Sequence, residues 1–309
     1  MLKIGVIGLG NIAQKAYLPV FSELQDKVEW YLSTRNEDKL LALQAKYRFP
    51  HVTTDMDSLL TAGLDAVFIH TPTPTHFAII SEFLNAGINV YVDKPVSENP
   101  AEVEELYSLA TSKNVQLTTG FNRRFAPYNV ELKQLTDKQL ITVEKTRVLA
   151  QQSVKEAIYD LFIHVVDTAL VLADINNFTA TENNFSFSIA KDANGNLSNC
   201  SMTLTLPDKT VIAKMNMQAG VDHESASIET PSGIYSVTDL ESFQTDTENG
   251  QQTKTLAGWT PMLVRRGFAP LINAFVSSLD KGSTANPVSP TSSILSHKLC
   301  QLMLDGNTK

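Results

Sequence analysis

The stretch Leu2-Lys3-Ile4-Gly5-Val6-Ile7-Gly8-Leu9-Gly10-Asn11-Ile12-Ala13 decides how the first part of this chain folds. An apolar, strand-like run ends in the pattern G-x-G-x-x-A, and a helical pattern follows. Glycines at such a turn let the backbone approach a pyrophosphate, which the N–H groups and positive dipole end of the following helix then receive. The motif alone is weak, because a tight strand-to-helix turn without a ligand reads the same way. Its context adds weight: it closes a buried strand, opens a helix and begins a series of βα units. Gly8, Gly10, Asn11 and Ile12 are therefore candidate cofactor-binding residues.

Outward from this turn, residues 1–120 alternate β-branched runs with helical patterns, the mark of a parallel sheet covered by helices. Strands are expected at Leu2–Ile7, Val28–Thr34, near Val52, Asp65–His70, Asn89–Val92 and Val115–Thr119. Asn99-Pro100 reads as a helix start, with Glu102, Glu104 and Glu105 near the positive end of its dipole and an end near Lys113. After Gly120 the character changes. A helical stretch at Tyr159–Ala173 precedes strand-like runs at Asn184–Lys191, Leu197–Leu206, Thr210–Gln218, Ser225–Thr230 and Gly233–Thr238, and another run lies before it at Ile141–Leu149. Polar turns such as Asp192-Ala193-Asn194-Gly195 and Pro207-Asp208 suit hairpins. Helical patterns at Pro261–Leu279 and Thr291–Leu304 follow. The expected architecture is α/β plus α+β. A doubly wound parallel sheet over 1–120 precedes a domain over 121–309 with an open, mainly antiparallel sheet and covering helices.

Composition sets bounds on function. At 309 residues the chain has length for two cores, and 43% hydrophobic with 19% charged residues is ordinary for a globular protein. No apolar run approaches the 18 or so residues of a membrane span, and the start lacks a secretory pattern, so a cytoplasmic location without membrane insertion is expected. Cys200 and Cys300 lack metal-binding spacing, and no metal is expected. A net charge of −8 and a pI near 5.3 argue against nucleic acid as partner, though Arg123-Arg124 could meet a small anion.

Several residues carry candidate chemistry. The second strand ends in Ser33-Thr34-Arg35-Asn36 without the carboxylate that bonds the ribose of NAD. Arg35 with the hydroxyls suits the 2′-phosphate of NADP, so NADP(H) is favoured and NAD(H) remains possible. The fourth strand runs into His70-Thr71-Pro72-Thr73-Pro74-Thr75-His76, where Thr71 and Pro72 stiffen a loop and His76 opens a helix, either as a cofactor contact or as polar surface. The fifth ends in Asp93-Lys94-Pro95, where Lys94 is either a snorkelling surface group or a cation held at the ligand-binding edge of the sheet. Asp160 and His164 are spaced to share one helix face, with Asp167 beyond them. A histidine near carboxylates is an acid–base catalyst near neutral pH, or an incidental exposed pair.

These segments occur in one order: the Gly8 turn, Thr71-Pro72, Asp93-Lys94-Pro95, Gly120-Phe121-Asn122-Arg123-Arg124-Phe125 and the Asp160-to-Asp167 helix. With Val264-Arg265-Arg266-Gly267-Phe268 they make the chain resemble the Gfo/Idh/MocA oxidoreductases over essentially its full length, most closely the MviM or YceM-like branch. The resemblance implies an NAD(P)-dependent oxidoreductase acting on a sugar, polyol or related hydroxy or carbonyl compound. It carries catalytic roles onto Lys94, Asp160 and His164, with Lys94 near both nicotinamide and substrate. It places Asn122 near the nicotinamide and offers Arg123 or Arg265 to an anionic or polyhydroxylated substrate. A homodimer or higher homo-oligomer through the second sheet is expected by analogy. Asp93 stands for the family's usual glutamate, and Phe162 for a frequent glycine. The alternative is a non-catalytic nucleotide-sensing or scaffold protein that keeps the fold.

Overall fold

The computed structural model describes residues 1–280 and 285–306. The chain divides into two compact units, one formed by Met1–Gly120 with Phe268–Pro290, the other by Phe121–Gly267 with Thr291–Lys309.

The first unit is built on a sheet of β1 (Leu2–Ile7), β2 (Val28–Ser33), β3 (His51–Thr53), β4 (Ala66–Ile69), β5 (Asn89–Val92) and β6 (Leu117–Thr119). The order is β3-β2-β1-β4-β5-β6, with every pairing parallel. Strands buried on both faces read as continuous apolar runs, and all four residues of β4 are buried. The strand order reverses between β1 and β4, which opens a crevice at their carboxyl ends where such sheets bind ligands. The expected doubly wound sheet is present.

The second unit carries β7 (Leu140–Val148), β8 (Phe185–Lys191), β9 (Leu197–Thr205), β10 (Thr210–Ala219), β11 (His223–Thr230), β12 (Gly233–Thr238), β13 (Ser242–Thr247) and β14 (Gly250–Thr255). Their order is β14-β13-β12-β11-β7-β10-β9-β8, antiparallel except where β7 meets β10. The sequence reading missed β13 and β14. Their sequences, SFQTDT and GQQTKT, lack an apolar face, and β14 is exposed throughout as the sheet edge. Ile141, Val143, Val211 and Ala213 put the buried face of the sheet under the Ile163–Leu172 helix, whose residues are nearly all buried.

Two boundaries differ from expectation. The helix expected over Pro261–Leu279 is broken into Met262–Arg265 and Phe268–Asp280. Gly267 between them has φ +79, and a Cβ there would stand 2.0 Å from the Asn122 carbonyl oxygen. The second difference follows from the first. The Phe268–Asp280 helix, read as part of the 121–309 domain, packs in the first unit. Phe268 meets the Tyr17 ring edge-on at 5.7 Å, and Phe275 meets Phe68 at 5.3 Å and Tyr91 at 5.5 Å. Its apolar face completes the core around β4 and β5, so contact wins over sequence order.

Cys200 and Cys300 are buried free thiols whose burial pushes both well above the usual range. Among the described residues no helix is long and apolar enough to cross a membrane. Phe275 is fully buried, so Phe275→Ala is expected to destabilise the chain by about 3–5 kcal/mol in urea unfolding. A change within 0.5 kcal/mol or so would remove this helix from the core of the first unit.

Candidate active site

The β1–β4 crevice of the first unit holds a cavity of about 410 Å³ lined by Gly8, Leu9, Gly10, Ser33, Thr34 and Arg35 on one side and by His70, Thr71, Pro72 and Thr75 on the other, with Lys39, Thr54 and Met56 at the β2 end. Gly8 has φ +88 and donates its N–H to the Ser33 carbonyl at 3.1 Å. A Cβ on Gly8 would lie 2.8 Å from the His70 carbonyl and the Thr71 nitrogen, so only glycine fits the crossing of β1 and β4. Gly10 faces open space. This is a backbone cradle for a pyrophosphate, and an NAD(P) cofactor fits it. Asn11 and Ile12 are exposed at the helix start and do not line the cavity. None of the lining residues is acidic, and Arg35 and Lys39 are exposed cations at the rim. Asn36 is occupied as the cap of the Glu37–Tyr47 helix, accepting from the Lys39 N–H at 2.8 Å.

His76 departs from expectation. It is 1% exposed, and its ring nitrogens contact the Pro95 carbonyl at 3.0 Å and the Thr71 carbonyl at 2.8 Å. It braces the Thr71-Pro72 loop against the Asp93–Pro95 segment, with both ring nitrogens occupied.

That segment begins with a carboxylate gripped from two sides. Asp93 accepts the Tyr17 hydroxyl at 2.5 Å on one oxygen and meets His70 Nδ1 at 2.8 Å on the other, and the Tyr17 and Tyr91 hydroxyls lie 3.1 Å apart. Burial raises the Asp93 carboxyl, but His70, the Tyr17 hydroxyl and Lys94 outweigh it and hold it below the usual carboxylate range. Burial, with Asp93 beside them, pushes both tyrosines well above theirs. Lys94, half-buried, follows directly, and the Lys94–Pro95 peptide is cis. The sequence reading treated Asp93 as a mild replacement for glutamate and missed Tyr17, His70 and Tyr91. The legible signal was register: Ile69 pairs with Val92, so His70 and Asp93 leave adjacent strands side by side.

In the second unit, the residues expected on one stripe differ in exposure and partners. The helix is π-helical over Ile158–Phe162 and α-helical from Ile163. A π-turn shifts the facing of everything after it and is common at functional sites. Asp160 is exposed and accepts from Gln152 Nε2 at 3.2 Å, whereas His164 is 8% exposed with its ring edge-on to Phe121. Asp160 and His164 thus differ in exposure to solvent. Phe162 is fully buried in the core of this unit. Asp167, 1% exposed, accepts Arg124 Nε at 2.9 Å and Nη2 at 2.5 Å, together with the Ser296 hydroxyl. Burial raises its carboxyl against the pull of Arg124.

The other expected contacts are engaged within the same unit. Asn122 is buried and donates Nδ2 to the Arg266 carbonyl at 2.6 Å, which ties its turn to the one before Gly267. Arg123 forks onto Glu224, and Arg265 donates Nη1 to Glu241 at 2.7 Å. Both arginines offered to the substrate thus already have a carboxylate partner in their own unit.

Residues 2–121 match the family described as "Oxidoreductase family, NAD-binding Rossmann fold", and residues 110–248 match the "YceM-like, C-terminal domain". YceM of Salmonella typhimurium (strain LT2) is 35% identical over 283 residues, spanning 89% of this chain and 88% of its own. The chain belongs to the Gfo/Idh/MocA oxidoreductases. A Gfo/Idh/MocA oxidoreductase from Vibrio cholerae superposes with a TM-score of 0.91 at 30% identity over 100% of both chains. The MviM dehydrogenase of Clostridium difficile gives 0.90 at 29% identity over 99% of both. A more partial relative, myo-inositol 2-dehydrogenase of Thermotoga maritima, is 30% identical over 149 residues, 48% of this chain and 44% of its own.

One titration follows from the second unit's core. His297 is fully buried beside Phe121, and burial, opposed by the Ser293 carbonyl, lowers it to about 4. A histidine depressed in the fold binds its proton more readily when unfolded, so stability is full above about pH 6.5 and is lost as pH falls toward 4. Stability in urea is expected to drop by about 2 kcal/mol from this group between pH 7 and 5, and His297→Gln should remove that increment. An unchanged pH slope in the variant would contradict the assignment.

Proposed function

We propose that this chain is a dehydrogenase or reductase that favours NADP(H) and acts on a sugar, polyol or related hydroxy or carbonyl compound. The observation that carries the cofactor preference is the rim at the end of β2, where Ser33, Thr34, Arg35 and Lys39 line the cavity without an acidic residue. A carboxylate there would bond a ribose hydroxyl and repel a phosphate; two cations and two hydroxyls do the reverse. The substrate class draws on family membership and on the myo-inositol relative.

When bound, the nicotinamide supplies a hydride acceptor or donor at C4. The residues of this chain handle position, charge and the proton. The Gly8–Gly10 backbone receives the pyrophosphate, and the Arg35 guanidinium meets the 2′-phosphate. The Asp93 clamp fixes the backbone from which Lys94 extends its ammonium to the substrate oxygen, where it stabilises alkoxide charge developing in the transition state. His164 takes the hydroxyl proton on oxidation and returns it on reduction. Asp160 accepts a further substrate hydroxyl.

NADPH is expected to bind more tightly than NADH in a nicotinamide-fluorescence titration. Arg35→Ala should weaken NADPH by roughly tenfold or more while leaving NADH nearly unchanged. Lys94→Ala should lower kcat by about 10²–10³ with cofactor affinity retained. Equal losses for both cofactors in the first variant would remove the phosphate role, and undiminished turnover in the second would remove the catalytic one.

A further inference from the structure

Around Glu224 the second unit gathers more positive charge than that carboxylate neutralises. Arg123 and Lys145, 7% exposed each, share the single carboxylate of Glu224: Arg123 forks onto both oxygens, and Lys145 Nζ lies 2.9 Å from Oε2. Lys145 and Glu224 are direct partners in the β7–β11 register, so the sheet itself fixes this pair. The Asn122–Phe125 turn delivers Arg123, and the Asn122-to-Arg266 hydrogen bond with the Gly267 crossing holds the Val264–Gly267 turn against it.

Arg266, half-buried, thereby joins the group, and its guanidinium has no carboxylate within ion-pair distance among the described residues. Glu241 is already paired with Arg265 and is more than half exposed. Arg147 is likewise paired, with Asp222. On the same turn, Arg265 leaves its Nε buried without a hydrogen-bond partner. Two cations therefore share one carboxylate, and a third, Arg266, stands on a turn tied to the one that carries Arg123. Buried charge of one sign is costly unless an opposite charge arrives, and arginine's fork matches the oxygens of a carboxylate or phosphate. Burial and the neighbouring Arg123 lower both Lys145 and Arg266, as a local excess of positive charge requires.

We infer that Arg266, supported by Arg123 and Lys145 around Glu224, is an oxyanion-binding site that gives this enzyme a substrate bearing a carboxylate or phosphate group. The inference rests on the dehydrogenase reading for the word substrate, while the anion site stands on the charge geometry. It also reassigns recognition within the arginine pairs: Arg123 holds the framework carboxylate, and Arg266 receives the ligand.

The test uses full-length protein saturated with NADPH, so that the cofactor cavity cannot take the probe. Inorganic phosphate, D-gluconate and D-glucose 6-phosphate are titrated by calorimetry, with myo-inositol as the uncharged control. All three anions, or one acid class, should bind more tightly than myo-inositol, and Arg266→Gln should weaken them by roughly tenfold or more. Lys145→Met should weaken them also, with NADPH affinity unchanged in both variants. Preference for gluconate over glucose 6-phosphate identifies a carboxylate, and the reverse a phosphate. Equal anion affinity in wild type and Arg266→Gln, or tighter binding of myo-inositol than of any anion, would overturn the site. Anion binding lost in Arg266→Gln, with no reduction of NADP by D-gluconate, D-glucose 6-phosphate or myo-inositol in a parallel assay with the oxidised cofactor, would keep the site and count against the dehydrogenase reading instead.

Discussion

The constraint on which the first unit depends is a buried negative charge. Asp93 emerges from β5 into a place closed by Tyr17, His70 and Tyr91, and a carboxylate is stable there only because a hydroxyl and an imidazole each take one of its oxygens. The cost of that burial is offset by three separate elements converging on one residue: the π-turn after the glycine loop, which carries Tyr17, and the ends of β4 and β5. Since the same β4 end crosses Gly8, the carboxylate and the cofactor cradle are positioned by shared backbone. Lys94 inherits its place from this arrangement.

The second unit uses the same physics with the opposite outcome. Asp167, buried, and Glu224, partly buried, are both met by arginine forks, yet their carboxyls shift in opposite directions. Around Asp167, burial outweighs one guanidinium and a serine, and its carboxyl is raised. Around Glu224, two cations with Arg266 beyond them outweigh burial, and the carboxyl falls well below its usual range. The first is an ion pair between the Ile163–Leu172 helix and Arg124 of the Asn122–Phe125 turn, joined by the Ser296 hydroxyl of the Pro290–Gly306 helix. The second leaves positive charge over, which is the basis of the anion site proposed at Arg266.

How much of this was legible in the sequence follows from which interactions have a local signature. Continuous apolar runs such as Val90-Tyr91-Val92 and the glycine turn gave the parallel sheet nearly residue by residue, and β2's missing carboxylate was visible at Ser33-Thr34-Arg35. Strands β13 and β14 were not, because polar edge strands carry no alternation. Pairing partners were the larger loss. Arg123 and Glu224 lie a hundred residues apart, so no spacing rule shows that the arginine is already engaged. His76 looked like a loop histidine and is a brace, since only the fold brings the Pro95 carbonyl to it. The expected Asp160–His164 face assumed α-helical spacing, whereas the helix is π-helical over Ile158–Phe162, a turn with no sequence rule of comparable strength, and leaves Asp160 exposed and His164 buried.

In the proposed site the β1–β4 crevice holds the cofactor with its reactive end beside the clamped Asp93–Lys94 segment. A crystal structure of the chain grown with NADP tests this most directly. The account requires the pyrophosphate on the Gly8–Gly10 backbone, the 2′-phosphate against Ser33, Thr34 and Arg35, and the nicotinamide ring within reach of the Lys94 ammonium. A cofactor bound elsewhere, or one whose nicotinamide turns away from Lys94, would contradict it.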